Sequence, residues 1–226
     1  MTRDHAIRIV AIDGPAGAGK STVAKRLAAK LNLSYLDTGA MYRALTLKAV
    51  LNYVNLEDEE ALVKMAQQTT VDLEDHASVM KVLLDGRDVS DDIRTSEITN
   101  KTFYLARAPR VRAVMVQWQR AIAGKKGVVA EGRDIGTVVF PQAAHKFYLD
   151  ADVQERSRRR MKDLRERGEE VDADKLTAEM IARDNHDFTR SIGPLKKADD
   201  AILIDTTDLT IDGVVEEILK YIQEIS

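Results

Sequence analysis

Cysteine is absent from the 226 residues. Its absence excludes disulfides and thiolate metal sites and gives no sign of an oxidising compartment. Aromatic side chains make up only 5% of the chain, few for a protein that would stack on bases. Charge of one sign is not in excess either. With 34 basic and 37 acidic residues the net charge is −3, so no global field draws the chain to nucleic acid or an acidic membrane. Long hydrophobic runs are missing, and no stretch could span a bilayer. The opening MTRDHAIRIVAIDG has a short apolar stretch that runs straight into a glycine loop, which reads as a buried strand rather than a signal peptide. No nucleic acid, no membrane and a cytoplasmic location are therefore expected. His5, His76, His145 and His186 show no metal-ligand spacing, and there is no internal repeat or low-complexity tract.

What is present is the balance of a globular protein, 44% hydrophobic and 31% charged, long enough for one α/β domain with a small insert. The run Ile7–Ile12 (IRIVAI) is nearly continuous, apolar and rich in β-branched residues, which predicts a central parallel strand. Similar runs recur at Ser34–Leu36, Gly127–Ala130, Lys146–Leu149 and Ala201–Ile204. Helical patterns lie between them, at Ser21–Leu31, Ala40–Leu51, Pro109–Ala123, Val153–Arg167, Leu176–Thr189 and Val214–Ile225. Strands alternating with helices predict a parallel sheet covered on both faces. One stretch breaks the alternation. Thr69–Glu74, Val79–Leu84 and Arg87–Ser90 are strand-like, with Asp85-Gly86 as a hairpin signal, and predict a small antiparallel subdomain. The charge-dense segment Arg156–Asp174 is the expected mobile piece, and Trp118 a packing residue of an amphipathic helix.

The segment Gly14-Pro-Ala-Gly-Ala-Gly-Lys20-Ser21 matches G-x-x-x-x-G-K-[ST], after a predicted strand and opening a predicted helix. Glycine lets backbone N–H groups turn inward and approach phosphate oxygens, and the helix N-terminus adds its positive end. In such a loop the lysine, here Lys20, reaches the β and γ phosphates and the hydroxyl of Ser21 ligates Mg²⁺. This is a nucleotide site.

A GTPase would need Asp-x-x-Gly, yet no Asp here has Gly three positions later, and Asn100-Lys101-Thr102-Phe103 puts Phe where a guanine-reading carboxylate belongs. A compact phosphate-loop protein with many downstream arginines fits a small-molecule kinase. Leu36-Asp-Thr-Gly-Ala-Met-Tyr-Arg43 and Ala130-Glu-Gly-Arg-Asp-Ile-Gly-Thr137 each follow a predicted strand, where loops of a parallel sheet face the ligand. Pro109-Arg-Val-Arg112 opens another helix. Arg183, Asp187 and Arg190 share one helix face, and Arg156, Arg159 and Arg160 are neighbours on another. For these last two sets a solvated face with internal ion pairs is an equal alternative.

The chain resembles bacterial cytidylate kinases of the nucleoside monophosphate kinase superfamily. The resemblance rests on IDGPAGAGKST, YLDTGAMYRAL, LLDGRDVSDDIRT, PRVR, GRDIGTVVFP, FYLDA, RRRM and PLKKADDAILIDTT, and covers the chain nearly end to end. It implies a phosphate-loop kinase fold, a five-stranded parallel sheet covered by helices. It also implies a monophosphate-binding insert at about 63–95, antiparallel, and a helical lid at about 156–174, in one domain spanning 1–226. It further implies transfer of the γ-phosphoryl group of ATP to CMP or dCMP, with Mg²⁺, by a monomer.

Position by position, the resemblance gives ATP to Gly14, Pro15, Ala16, Gly17, Ala18, Gly19, Lys20, Ser21 and Thr22. Thr38, Arg112 and Asp134 would read the cytosine edge; Arg43, Arg133 and Arg190 would bind the acceptor phosphate; Arg183 and Asp187 would hold the sugar. Arg156, Arg159 and Arg160 would belong to the lid and, with Lys20 and Arg133, to the catalytic cage. Two positions depart from the family pattern. Phe103 stands where a small hydroxyl residue is common, leaving Thr102 as the nearest hydroxyl, and Glu131 stands where Asp is frequent. Glu131 either holds a magnesium-bound water or caps the turn.

The acceptor oxygen of a monophosphate is already anionic, so no general base is required. The work lies in positioning two polyanions and supporting charge, which is why arginines abound without an evident base. Two other readings compete: a small phosphate-loop kinase with a different acceptor, and a nucleotide-binding regulator without transfer activity.

Overall fold

A computed structural model of the chain describes residues 9–76, 79–166 and 168–225. Ile7, Arg167 and His5, which enter the readings above, lie outside them. In chain order the elements are β1 (Ile9–Asp13), α1 (Lys20–Leu31), β2 (Ser34–Asp37), α2 (Thr38–Leu51), α3 (Glu59–Gln67), β3 (Val71–His76), β4 (Val79–Leu84) and β5 (Arg87–Asp88). There follow a short 3₁₀ turn at Asp92–Arg94, α4 (Ser96–Arg107), α5 (Pro109–Lys126), β6 (Val128–Gly132) and a π-type turn at Ile135–Val139. The last are β7 (His145–Asp150), α6 (Val153–Glu166), α7 (Ala173–Thr189), β8 (Ile202–Asp205) and α8 (Ile211–Ile225). Packing divides the chain into two compact units, residues 1–33 with 127–226, and residues 34–126.

The fold is α/β. The first unit is built on parallel strands in the order β6-β1-β7-β8, and the parallel sheet reaches five strands with β2. The strand β1 is in the middle because its sequence is apolar on both faces: Val10, Ala11 and Ile12 are fully buried, and only a strand covered on both sides permits that. Register places Asp13 level with Gly132 of β6 and Tyr148 of β7, so at their C-terminal ends β1 and β6 finish together and β7 runs two residues further. Ligands of open parallel sheets bind at that end. Phe147, Leu149, Ile12 and Leu27 are among the largest fully buried side chains. A satellite cluster of Leu164, Leu176 and Met180 joins α6 to α7.

The second unit contains the antiparallel sheet β3-β4-β5, as the strand-like composition and the Asp85-Gly86 signal predict. Asp85 and Gly86 have φ of 50° and 81°, the paired positive values of a hairpin turn whose twist matches its strands. Two helices went unread in the sequence. The first, α3, is capped by the Asp58 side chain, which accepts from Ala61 N, and carries Glu59 and Glu60 in its first turn. The second, α4, is capped by Thr95, which accepts from Ile98 N. Its Thr, Asn, Phe and Tyr content carries little helix propensity, so packing decides its form. The Ile135–Val139 turn was also unread, since the GRDIGT segment looks like an open loop.

Candidate active site

The phosphate loop leaves β1 through Gly14, whose φ is 147°; a Cβ there would lie 2.0 Å from the Leu149 carbonyl oxygen, so only glycine permits this approach to β7. Gly17 is left-handed at 80°, and its Cβ would meet Arg156 at 2.9 Å. Gly19, at 84°, caps α1 without a side-chain bond, leaving the first N–H groups of the helix turned into the loop.

Lys20 folds back over this loop, its Nζ donating to the Pro15 carbonyl at 2.6 Å, and is 5% exposed. Burial and the nearby Arg133 guanidinium push its pKa down to about 7, against the opposing pull of Glu131 and Asp13. A buried ammonium held that close to neutrality gains most when a polyphosphate arrives to balance it. Ser21 Oγ donates to Glu131 Oε1 at 2.5 Å, joining the first turn of α1 to the end of β6. Glu131, expected either to hold a magnesium-bound water or to cap the turn, accepts here from a side-chain hydroxyl. The pair provides hard oxygen donors of the kind that hold Mg²⁺ together with substrate phosphates. No cluster of three or more His, Cys, Asp or Glu side chains with metal-binding potential occurs among the described residues.

Arg133, Asp134, Asp187 and Arg190 come together in the first unit. Arg133 Nε donates to Asp187 Oδ2 at 2.7 Å; Arg190 lies 3.8 Å from Asp187 and 3.6 Å from Asp134. Burial works against the ionised Asp187, but Arg133 and then Arg183 hold its carboxyl below the usual range. Arg133 in turn is buried, and Asp187 beside it keeps it above its ordinary value. The i, i+4, i+7 set, with Arg190 as the C-cap of α7, is therefore a half-buried charge network rather than a fully solvated face.

Arg156 and Arg159 anchor the first turns of α6. Arg156 Nη1 bonds Asp184 Oδ2 at 2.5 Å and the Ala16 carbonyl at 3.0 Å, while its Nε donates to the Ala151 carbonyl. Arg159 bonds Glu155 and both Oγ1 and the carbonyl of Thr206, and Thr206 Oγ1 donates to the Ala18 carbonyl at 3.2 Å. Both arginines thus brace the phosphate loop through its carbonyls. Arg160 is half-buried on the same helix.

The second unit holds Thr38, Arg43 and Arg112. Thr38 is buried as the first residue of α2. Arg43 lies 3.3 Å from Asp37, whose other oxygen caps the helix by accepting from Ala40 N. Arg112 is buried with its guanidinium over the Tyr42 ring and donates to Tyr42 Oη at 3.3 Å. The Thr102 hydroxyl donates to the Ile98 carbonyl at 2.8 Å, and the Phe103 ring sits edge-on to Tyr104.

Three acidic residues were missed in the sequence: Asp37, Asp184 and Asp13. The first stands 6 residues before the arginine it pairs with and the second 28 residues after; only the helix-cap position of Asp37 offers a readable sign. Asp13 accepts from Ile135 N and Gly136 N, both at 2.8 Å, across more than a hundred residues of chain.

A family model described as cytidylate kinase matches residues 10–224 of the chain. A cytidylate kinase of Desulforamulus reducens is 50% identical over 217 residues, which cover 96% of this chain and 97% of that protein. One of Alkaliphilus oremlandii is 46% identical over 216 residues, covering 96% and 98%. Among solved structures, a protein of Eubacterium ventriosum aligns over 96% of this chain and 99% of its own with a TM-score of 0.50 at 18% identity, a likeness of fold alone.

Proposed function

The chain belongs to the cytidylate kinase family, and from that premise we propose that it moves the γ-phosphoryl group of ATP onto CMP, with dCMP as a second acceptor and a cytoplasmic monomer as the working form. It is an ATP-dependent phosphotransferase and a nucleoside monophosphate kinase. The observation that carries the reading is Lys20, buried in a glycine loop and within electrostatic reach of Arg133, Arg183, Glu131 and Asp13.

Residues 14–22 are assigned to ATP, their amides to the phosphate oxygens and Lys20 to the β and γ phosphates. Ser21, with Glu131 through water, would hold Mg²⁺, which when bound would supply charge neutralisation to the transferring phosphates. Arg43, Arg133 and Arg190 are assigned to the acceptor phosphate, Arg183 and Asp187 to the sugar, and Thr38, Arg112 and Asp134 to the cytosine edge. The stretch 63–95 is assigned to the monophosphate-binding insert and 156–174 to the lid.

The acceptor phosphate attacks as an anion, so the protein removes no proton in the step. Arg133, Arg156, Arg159 and Arg160, with Lys20, form the cage that supports the charge spread over the transferring group. Preorganisation favours this role: Arg133 is already fixed by Asp187, and Arg156 by Asp184 and the Ala16 carbonyl, before substrate arrives.

The test is coupled ADP release with CMP, dCMP, UMP, AMP and shikimate offered in parallel. CMP and dCMP are expected to be turned over far faster than the others. Fast turnover of shikimate or AMP alone would overturn the acceptor assignment, and nucleotide binding without ADP release would return the chain to a regulator.

A further inference from the structure

The C-terminal end of β1 carries a buried carboxylate whose only part so far is its field at Lys20. Asp13 is 4% exposed and is the residue immediately before the phosphate loop. Its backbone is held on both sides, level with Gly132 and with Tyr148, and the next residue presses against the Leu149 carbonyl.

The side chain reaches across to the Ile135–Val139 turn. In that turn Val138 N and Val139 N donate to the Asp134 carbonyl, and Phe140 N to that of Ile135. The first two amides, Ile135 N and Gly136 N, have no acceptor within the turn. Asp13 takes both, one with each oxygen, at 2.8 Å. A Cβ at Gly136 would lie 3.3 Å from Asp13 Oδ2 and 3.2 Å from Lys146 Cδ, so the turn is closed in from both sides. Lys146 is itself fixed, donating to the Pro141 carbonyl and to Asp200, both at 2.6 Å.

Just ahead of these amides stand Arg133 and Asp134. We propose that Asp13 is a positioning residue for acceptor selection: its carboxylate ties the Ile135–Val139 turn to the root of the phosphate loop and thereby fixes Asp134 and Arg133. The inference rests on the reading of Asp134 as the residue that meets the base. A carboxylate suits the task because it offers only acceptors; the amide of an asparagine would turn one donor against a donor. A site that selects by hydrogen bonds loses discrimination when its polar group can drift, because the wrong base then finds a tolerable pose.

The experiment uses the full chain and the Asp13→Asn and Gly136→Ala variants. The second keeps the carboxylate and pushes the turn away from it. Both are expected to lower the CMP-to-UMP ratio of kcat/KM at least about tenfold and to raise KM for CMP; in Gly136→Ala, which keeps the Asp13 charge within reach of Lys20, KM for ATP stays within about twofold. Equal losses on CMP and UMP, an unchanged ratio, or a change confined to KM for ATP would overturn the proposal. Amide exchange in the unmodified chain supplies a second readout that does not depend on the variants folding. Ile135 and Gly136 are expected to exchange slowly, and rapid exchange of both would overturn the clamp. If the unmodified chain releases no ADP with CMP, the functional reading fails instead, and amide protection still reports on the clamp.

Discussion

Arg156 and Asp184 form a buried pair, 2.5 Å from Nη1 to Oδ2, and the same nitrogen holds the carbonyl of Ala16 in the phosphate loop. Helices α6 and α7 are therefore joined to each other and to the loop by one guanidinium. The other Asp184 oxygen has no hydrogen-bond partner among the described residues, so the carboxylate depends on this pair for its compensation.

Asp184→Ala should be among the most destabilising single changes in the unit. It leaves a buried guanidinium with one carboxylate fewer, at a cost of about 3–5 kcal/mol. Chemical denaturation at pH 7 checks the value. A loss below about 1 kcal/mol would mean that the pair is open to water in solution.

Lys20→Met retains the loop backbone and removes the charge that would bridge the donor phosphates. Turnover should fall at least about a hundredfold, the scale of losing one transition-state electrostatic partner at roughly 3 kcal/mol. The melting temperature at pH 7 should hold or rise. The folded chain keeps the pKa of Lys20 near 7 against an ordinary 10.5, so its charge costs stability, most fully below about pH 7, and the cost fades as pH climbs toward 10.5. Near-normal turnover would remove the loop from the chemistry.

The same depressed pKa of about 7 predicts proton uptake when ATP binds. The triphosphate favours the ammonium form, so a lysine mostly neutral at pH 8 is recharged in the complex. Calorimetry at pH 8 in two buffers of different ionisation enthalpy should show uptake approaching about one proton per site, falling toward zero below pH 6. Asp13, raised to about 6 by burial, overlaps the lower part of this range and is ionised at pH 8, where the uptake reports on Lys20. Lys20→Met should abolish the uptake; uptake that survives it belongs to another group.

Asp134→Asn tests the base reader. Cytosine offers an amine where uracil offers a carbonyl, and an ionised carboxylate accepts from the first and repels the second. CMP efficiency should fall by roughly 1.5–3 kcal/mol, the scale of a hydrogen bond to a charged group, and the CMP-to-UMP ratio with it. Because Asp134 lies 3.6 Å from Arg190, the melting curve is recorded alongside. Discrimination that persists in the variant would take the base away from Asp134.

The sheet was legible in the sequence because β1, β6 and β7 are buried on both faces and read as unbroken apolar runs. Asp85-Gly86 was legible because few residue pairs tolerate two positive φ values in succession. Lys20 and Ser21 were legible because the loop geometry demands a fixed spacing of glycines before them. The carboxylates were not. Asp13, Asp37 and Asp184 owe their roles to where the fold brings an amide or a guanidinium, and an aspartate carries no mark of its future partner. The π-type turn has no residue signature at all, since its widened loop depends on Asp13 taking the two amides it leaves open.

The placement of the phosphate loop at the end of β1 bears on how the molecule fails when heated. The middle strand of a sheet, bonded to β6 and β7 along its length, opens only when the sheet does. Gly14 has no slack against Leu149, so the nucleotide site has no private, low-temperature route to disorder. Thermal inactivation should therefore coincide with the cooperative melting of the first unit, with no dormant, folded form preceding it.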